Sequence, residues 1–366
     1  MAVVANGADG GSRARVNTAR FRRGLVVGKF SPLHLGHELL IETARAACDE
    51  LLVLSYSQPE FERCSAAVRE RWLQARCPGV TALVLDDARL AQQCASRGVE
   101  PRHLPPNDAP DEVQCHFVGR LLIDLLGTTV DAIFTSESYG DGFAASLSAQ
   151  FQAMDPGHAP VVHVSVDAAR VKRPVSGSAV RADPAAWRTM VAPEVFADLV
   201  PRLCLLGGES SGKTTLAQAL AERLQTTWVP EYGRERWEQV GGGVLSVDEL
   251  VHVAQVQVQR EIDAAQAANG WLVCDTSPLT TLQYCLLDHG QAPEKLQRLA
   301  ERPYDLAVLC AGDFGFVQDG TRRDDAFRAE QQARTIEALQ QLGARYLTVH
   351  GSVEERIAQV LTALQA

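Results

Sequence analysis

The chain predicts two α/β domains, each built on a mainly parallel sheet, and three observations carry that expectation. Short apolar runs alternate with segments of helical periodicity along most of the sequence. Its 366 residues are about twice the length of an average domain. One apolar run in each half leads through a glycine-bearing turn straight into a helix. Strands that alternate with helices pair in parallel through right-handed crossovers, which gives doubly wound sheets.

The first 23 residues hold five arginines among Gly, Ala, Ser and Asn and lack the apolar core of a signal peptide, so residues 1–23 read as a disordered tail. Gly24 to Gly28 is a buried strand ending in a turn. Leu39, Leu40, Thr43, Ala44 and Ala47 recur at helical spacing and give a helix that packs on it. Leu51 to Leu54 reads as a second strand, Val68 to Ala75 as a helix and Val80 to Leu85 as a third strand. The prolines at 101, 105, 106 and 110 make Gly98 to Asp111 a surface loop. Phe117 to Leu126 follows as a helix, Ala132 to Thr135 as a strand and Val161 to Val166 as another apolar run. After a short helix, Pro193 to Leu199, Pro201 marks the boundary, giving domains at 24–200 and 201–366. The second half repeats the alternation, with strands at Leu203 to Leu206, Trp271 to Cys274 and Leu306 to Leu309. Its helices are expected at Thr215 to Leu224, Val247 to Ala267, Ala326 to Leu342 and Val353 to Leu364.

With 35 bases against 45 acids the net charge is -10, too negative for a chain whose main task is neutralising nucleic-acid phosphates. The nine cysteines contain no Cys-x-x-Cys pair, which fits neither a disulfide framework nor a zinc site and points to a reduced, cytoplasmic setting. Charged or amide residues interrupt every apolar stretch, so no membrane span is expected.

The second half carries Gly207-Gly208-Glu209-Ser210-Ser211-Gly212-Lys213-Thr214, followed by Thr215, a complete phosphate-binding loop between a strand and a helix. Its glycines let successive N–H groups face phosphate oxygens at a helix N-terminus. Lys213 supplies charge for the β- and γ-phosphates, and the Thr214 hydroxyl is placed to ligate Mg²⁺. Such a loop calls for an acid at the end of a second strand, and Asp275 fits, although capping the next helix is the alternative. Glu231 follows a β-branched run; it is either a base or metal-site acid or a salt-bridge partner of Arg234 or Arg236. In Asp319-Gly320-Thr321-Arg322-Arg323, Arg322 is placed to close over a transferring phosphoryl group, or else lies in a solvated loop.

In the first half, Gly28-Lys29-Phe30-Ser31-Pro32-Leu33-His34-Leu35-Gly36-His37 puts two imidazoles at a helix start. A metal set is the lesser reading of this pair; His34 and His37 read as donors to triphosphate oxygens, with Gly28 and Phe30 shaping the ATP-binding turn.

The G-x-F-x-P-x-H-x-G-H string resembles the adenylyltransferase superfamily. Combined with the later phosphate loop, it resembles the NadR-type bifunctional enzymes, a nicotinamide mononucleotide adenylyltransferase joined to a ribosylnicotinamide kinase. The resemblance runs from about residue 24 to the C-terminus and includes Ser136-Glu137, Val175 to Arg181, Glu231 to Arg234, Asp275-Thr276 and Asp319 to Arg322. It implies a Rossmann-like HxGH nucleotidyltransferase domain followed by a P-loop kinase domain. It further implies ATP as co-substrate with Mg²⁺, and nicotinamide riboside, nicotinamide mononucleotide and NAD as substrates and product. Ser136, Ser176, Ser178 and Arg181 would bind ATP, and His34, His37, Lys213, Glu231, Asp275 and Arg322 would be catalytic. Three features depart from the family. Twenty-three leading residues are too few for the helix-turn-helix domain of some members, Ser277 replaces a second acid after Asp275-Thr276, and Gly98 to Gln114 contains no Phe, Tyr or Trp. A coenzyme A-type fusion of an adenylyltransferase and dephospho-coenzyme A kinase, and a nucleotide-sensing regulator without turnover, are the alternatives. Oligomeric state is open, a homo-oligomer included.

Overall fold

The structure is a computed structural model and describes residues 21–313 and 325–365. These form two compact units, one ending at Val175 and the other beginning at Ser176. The first contains, in order, β1 (Phe21–Gly28), α1 (Leu35–Ala47), β2 (Cys48–Tyr56), α2 (Ala66–Arg76), β3 (Thr81–Leu85), α3 (Asp87–Arg97), α4 (Asp111–Arg120), β4 (Ala132–Thr135), α5 (Gly140–Met154) and β5 (Val162–Ser165). Its five strands are parallel in the order β3-β2-β1-β4-β5. Leu25, Val26, Val53, Leu54, Ile133 and Phe134 are all buried, as expected where helices cover both faces of a parallel sheet.

The second unit runs α6 (Gly177–Ala182), α7 (Pro193–Leu199), β6 (Arg202–Leu206), α8 (Lys213–Arg223), β7 (Trp228–Val229), α9 (Tyr232–Gln239), α10 (Val247–Ala265), β8 (Leu272–Asp275), α11 (Pro278–His289), α12 (Glu294–Ala300), β9 (Leu306–Cys310), α13 (Asp325–Gln341), β10 (Tyr346–Val349) and α14 (Val353–Gln365). Its parallel sheet is ordered β10-β9-β6-β8-β7. In each unit the strand that leads into a motif turn, β1 or β6, is therefore the middle one. The chain leaves such a strand toward opposite sides, which opens a crevice at its carboxyl end.

Several elements differ from the sequence expectation. β1 begins at Phe21, three residues before the apolar run, because Phe21 pairs with Cys48 and packs edge-on to Phe134 while Arg23 binds Glu50 and Asp131. The helix expected from Phe117 starts at Asp111, with two acids in its first turn, and passes into a π-helical turn over Leu121–Leu125. The proline-rich stretch is irregular, yet Leu104 is buried in the core beside Cys115 and Leu121. Segment 176–200, which the sequence groups with the first half, packs with the second unit; Arg202 donates to the carbonyls of Ala197 and Val200.

One buried charge organises the carboxyl ends of the first sheet. Arg69 on α2 is fully buried and donates to Ser55 Oγ (2.7 Å), Glu60 Oε1 (2.9 Å), Cys64 O (3.0 Å) and Leu85 O (3.2 Å). A longer bond, 3.4 Å, reaches Lys29 O in the motif turn. Burial lowers the pKa of this guanidinium, and Glu60 opposes that effect. Removing it would strand Glu60 and several carbonyls. Arg69→Ala should cost the first unit about 3 kcal/mol in urea denaturation; a loss below about 1 kcal/mol would show that the network is dispensable.

Candidate functional site: two phosphate cradles

At the end of β1 the chain turns through Phe30, which has a positive φ of 48° and is buried. His34 caps α1, and the two histidines bind each other's backbone reciprocally. His37 N–H donates to His34 Nδ1 (3.3 Å), and His34 N–H donates to His37 Nδ1 (3.4 Å). The rings stack 3.6 Å apart, and Phe30 meets His37 edge-on at 5.0 Å. A Cβ on Gly36 would come within 3.1 Å of the His34 ring, so a larger residue there would require the stack to shift by a few tenths of an ångström. With both Nδ1 atoms accepting, the neutral rings carry their protons on Nε2 and present N–H donors there. Burial pushes the His34 pKa down to about 4, helped by the charge of Arg170. Burial, His34 and Arg170 likewise hold His37 well below its usual value. The pair is thus neutral at physiological pH.

Arg170, which the sequence reading missed, lies in the loop after β5 and is paired with Glu137 at 2.8 Å. Ser136 and Glu137 follow β4, the neighbour of β1. Ser176, Ser178 and Arg181 sit at and within α6 of the second unit, where Ser176 Oγ accepts from Ala179 N–H and contacts Ser178 Oγ at 3.1 Å.

The second cradle is the loop between β6 and α8. Gly207 has φ 136°, and a Cβ there would lie 2.6 Å from Cys310 O, so this glycine lets the loop run against the end of β9. Lys213 Nζ donates to Gly207 O (3.0 Å) and Gly208 O (2.9 Å). Thr214 Oγ1 donates to Asp275 Oδ2 at 2.6 Å, joining the two residues the sequence paired as a magnesium site. Asp275 is 1% exposed, and its Oδ1 has no protein partner. A hydroxyl beside a carboxylate with one uncommitted oxygen suits Mg²⁺, which keeps water and phosphate as its other ligands.

Gly207, Glu209 to Thr215 and Glu231 line one cavity of about 420 Å³, whose wall continues to Arg234, Trp237, Gln257, Tyr284 and Asp288. The loop thus faces a pocket with two aromatic side chains that sequence reasoning did not single out. Burial raises the pKa of Glu231, Lys213 opposes this, and Asp275 adds to it. Burial also raises Asp275, against the Thr214 hydrogen bond and Lys213. Of the expected residues, Gly28, Phe30, His34 and His37 gather in one place, and the phosphate loop, Glu231 and Asp275 gather in another. Arg322 lies outside the described residues.

All nine cysteines are buried and none forms a disulfide. Among the described residues no group of acids, histidines and cysteines is arranged to hold a metal alone, and no helix is long and apolar enough to cross a membrane.

The depressed histidine pKa values have a stability consequence. Between pH 6.5 and about 4 the unfolded chain binds protons at His34 that the folded chain refuses, so stability falls as pH falls through that window. Unfolding of the first unit at pH 5 should cost on the order of 2 kcal/mol less than at pH 7 through this residue, and His34→Gln should remove that difference. An unchanged pH slope in His34→Gln would contradict the assignment of a buried neutral ring.

Residues 202–356 match the family model of an AAA domain. The trifunctional NAD biosynthesis/regulator protein NadR of Escherichia coli (strain K12) is 27% identical over 332 residues, which cover 89% of this chain and 78% of that protein. NadR of Salmonella typhimurium is 27% identical over 314 residues, 82% of this chain and 71% of its own length. A crystal structure of a NadR protein in complex with NR superposes with TM-score 0.62 at 18% identity, covering 95% of this chain and 97% of that one. A second, in complex with NAD and AMP-PNP, gives TM-score 0.61 at 18% identity and covers 94% and 97%. This chain is thus similar in sequence to the NadR proteins along most of its length, and its pair of parallel α/β units has the fold of the two NadR structures.

Proposed function

We propose that the protein makes NAD from nicotinamide riboside in two ATP-dependent steps, one in each cradle. The observation that carries the reading is the shared cavity of the second unit. There the phosphate loop, Thr214 with its bond to Asp275, and Glu231 meet Trp237 and Tyr284, the cavity being lined by all of these but Asp275. In the first step the riboside 5′-hydroxyl attacks the γ-phosphorus of ATP. Its proton passes to Glu231, whose raised pKa suits a base, and ADP leaves. Lys213 exchanges its loop carbonyls for the β- and γ-phosphates. Bound at Thr214 and Asp275, Mg²⁺ would offset charge on the phosphates. Trp237 and Tyr284 offer faces for a flat ring, and Asp288 places a carboxylate near its positive pyridinium. Arg322 would act from outside the described residues, on the phosphoryl group in flight.

In the second step the phosphate of nicotinamide mononucleotide attacks the α-phosphorus of a second ATP, and pyrophosphate leaves. An anionic nucleophile needs no base, so positioning and charge stabilisation carry the step. Neutral His34 and His37 donate Nε2–H bonds to the phosphates, and Arg170 adds positive charge beside them. Ser136, after β4, is assigned to the same ATP. Tyr139, which follows Ser136-Glu137 and is 36% exposed, supplies an aromatic ring that Gly98 to Gln114 lacks.

Purified protein given ATP should convert the riboside to mononucleotide and the mononucleotide to NAD. Lys213→Ala should lower riboside phosphorylation by about a thousandfold or more while leaving adenylylation of supplied mononucleotide within about twofold; His37→Ala should do the reverse. Turnover of dephospho-coenzyme A with the riboside untouched would sink this reading, and loss of both activities from either substitution in folded protein would refute separate sites.

A further inference from the structure

The last helix reaches back to the phosphate loop through one side chain. Arg356, on α14, is 1% exposed and does not line the cavity. Its Nη1 donates to Ser211 O at 2.7 Å, Nη2 to Ala311 O at 3.0 Å, and Nε to Gly351 O at 2.9 Å, with Asp313 Oδ2 a further 3.4 Å contact. One guanidinium thus ties the phosphate loop to the segments that follow β9 and β10.

The Ser211 bond has a directional consequence. In a planar trans peptide the carbonyl and the next residue's N–H point in opposite directions. Anchoring Ser211 O on Arg356 therefore turns the N–H of Gly212 away from Arg356, toward the cavity that Gly212 and Lys213 line. The earlier part of the loop is held otherwise: Gly208 N–H donates to Gln332 Oε1 (3.2 Å) and Glu209 N–H to Gln331 Oε1 (3.1 Å), both on α13. The two braces divide the loop between them, and Arg356 serves the half next to α8.

We propose that Arg356 is a positioning residue for the nucleotide phosphates: it sets the Ser211–Gly212 peptide so that the Gly212 N–H, with the helix start behind it, faces the β-phosphate. The proposal rests on the reading of the second unit as an ATP site. It places a determinant of ATP affinity 145 residues beyond the loop it orients. A lysine preserves the charge but cannot span three carbonyls in one plane, so the guanidinium fork itself is what the site requires.

The test uses the full chain carrying R356K and, separately, R356Q. ADP·Mg²⁺ is titrated, and the component of binding that K213A abolishes is assigned to the phosphate loop. The Michaelis constants for ATP and riboside, adenylylation of supplied mononucleotide and thermal unfolding of the second unit are measured alongside. R356K is expected to stay folded with adenylylation unchanged, to bind ADP about tenfold more weakly, and to raise the ATP constant similarly with the riboside constant within about twofold. R356Q should lose more. ADP binding within about twofold of the native protein in R356K overturns the proposal. So does an equal rise in both Michaelis constants, or unfolding of the second unit in R356K, since either marks a purely structural role. If the native protein binds ADP through Lys213 yet leaves the riboside unchanged, the kinase reading fails while the titration still decides the role of Arg356.

Discussion

A polyphosphate has to be met by positive potential, and this chain carries a net charge of -10. The cradles therefore depend on local geometry: backbone N–H groups gathered where a central strand turns into a helix, with one or two side chains completing each. Sheet order follows from that constraint. β1 and β6 are the middle strands of their sheets, so each turn opens at the carboxyl edge with neighbours on both sides. Apolar strands and the buried faces of α1 and α8, through Leu40, Ile41 and Ala44 or Leu216, Ala217 and Leu220, hold those turns rigid. Buried arginines then brace them from behind, Arg69 at the Lys29 turn and Arg356 at Ser211.

The two cradles solve the charge problem differently. The first holds two imidazoles neutral by burial and by Arg170, with each Nδ1 taken by a backbone N–H. The second sets a lysine against acids, Glu231 and Asp275, whose pKa values burial raises. That contrast agrees with the chemistry proposed for each: a hydroxyl nucleophile needs a group that takes its proton, and a phosphate nucleophile does not.

Much of this was legible in the sequence because its signals are local. The strands at 132–135 and 203–206 are continuous apolar runs, and the two motifs place the turns within a residue. Thr214 and Asp275 could be paired in advance because a phosphate loop demands a partner acid on another strand. Other elements left weak traces. α9 is half charged and shows no clear apolar period, and the Gly-Asp-Gly start of α5 precedes the helical spacing of Phe143, Leu147 and Phe151. Residues that act across the fold left none: Arg170, Trp237 and Arg356 gain their roles only when strands distant in sequence become neighbours. The stretch from 98 to 114 offers no Phe, Tyr or Trp, and the ring of Tyr139 lies beyond β4, distant from it in sequence.

The central claim is that two separate cradles act in series on one substrate. It is tested most directly by supplying purified protein with ring-labelled nicotinamide riboside and with ATP labelled at either the γ- or the α-phosphorus. The account predicts NAD that holds the ring label, one phosphorus from the γ-position and one from the α-position, with the mononucleotide appearing first and carrying only the γ-label. Ring label confined to the riboside, or a mononucleotide that forms with γ-phosphorus and is never joined to α-phosphorus, would contradict it.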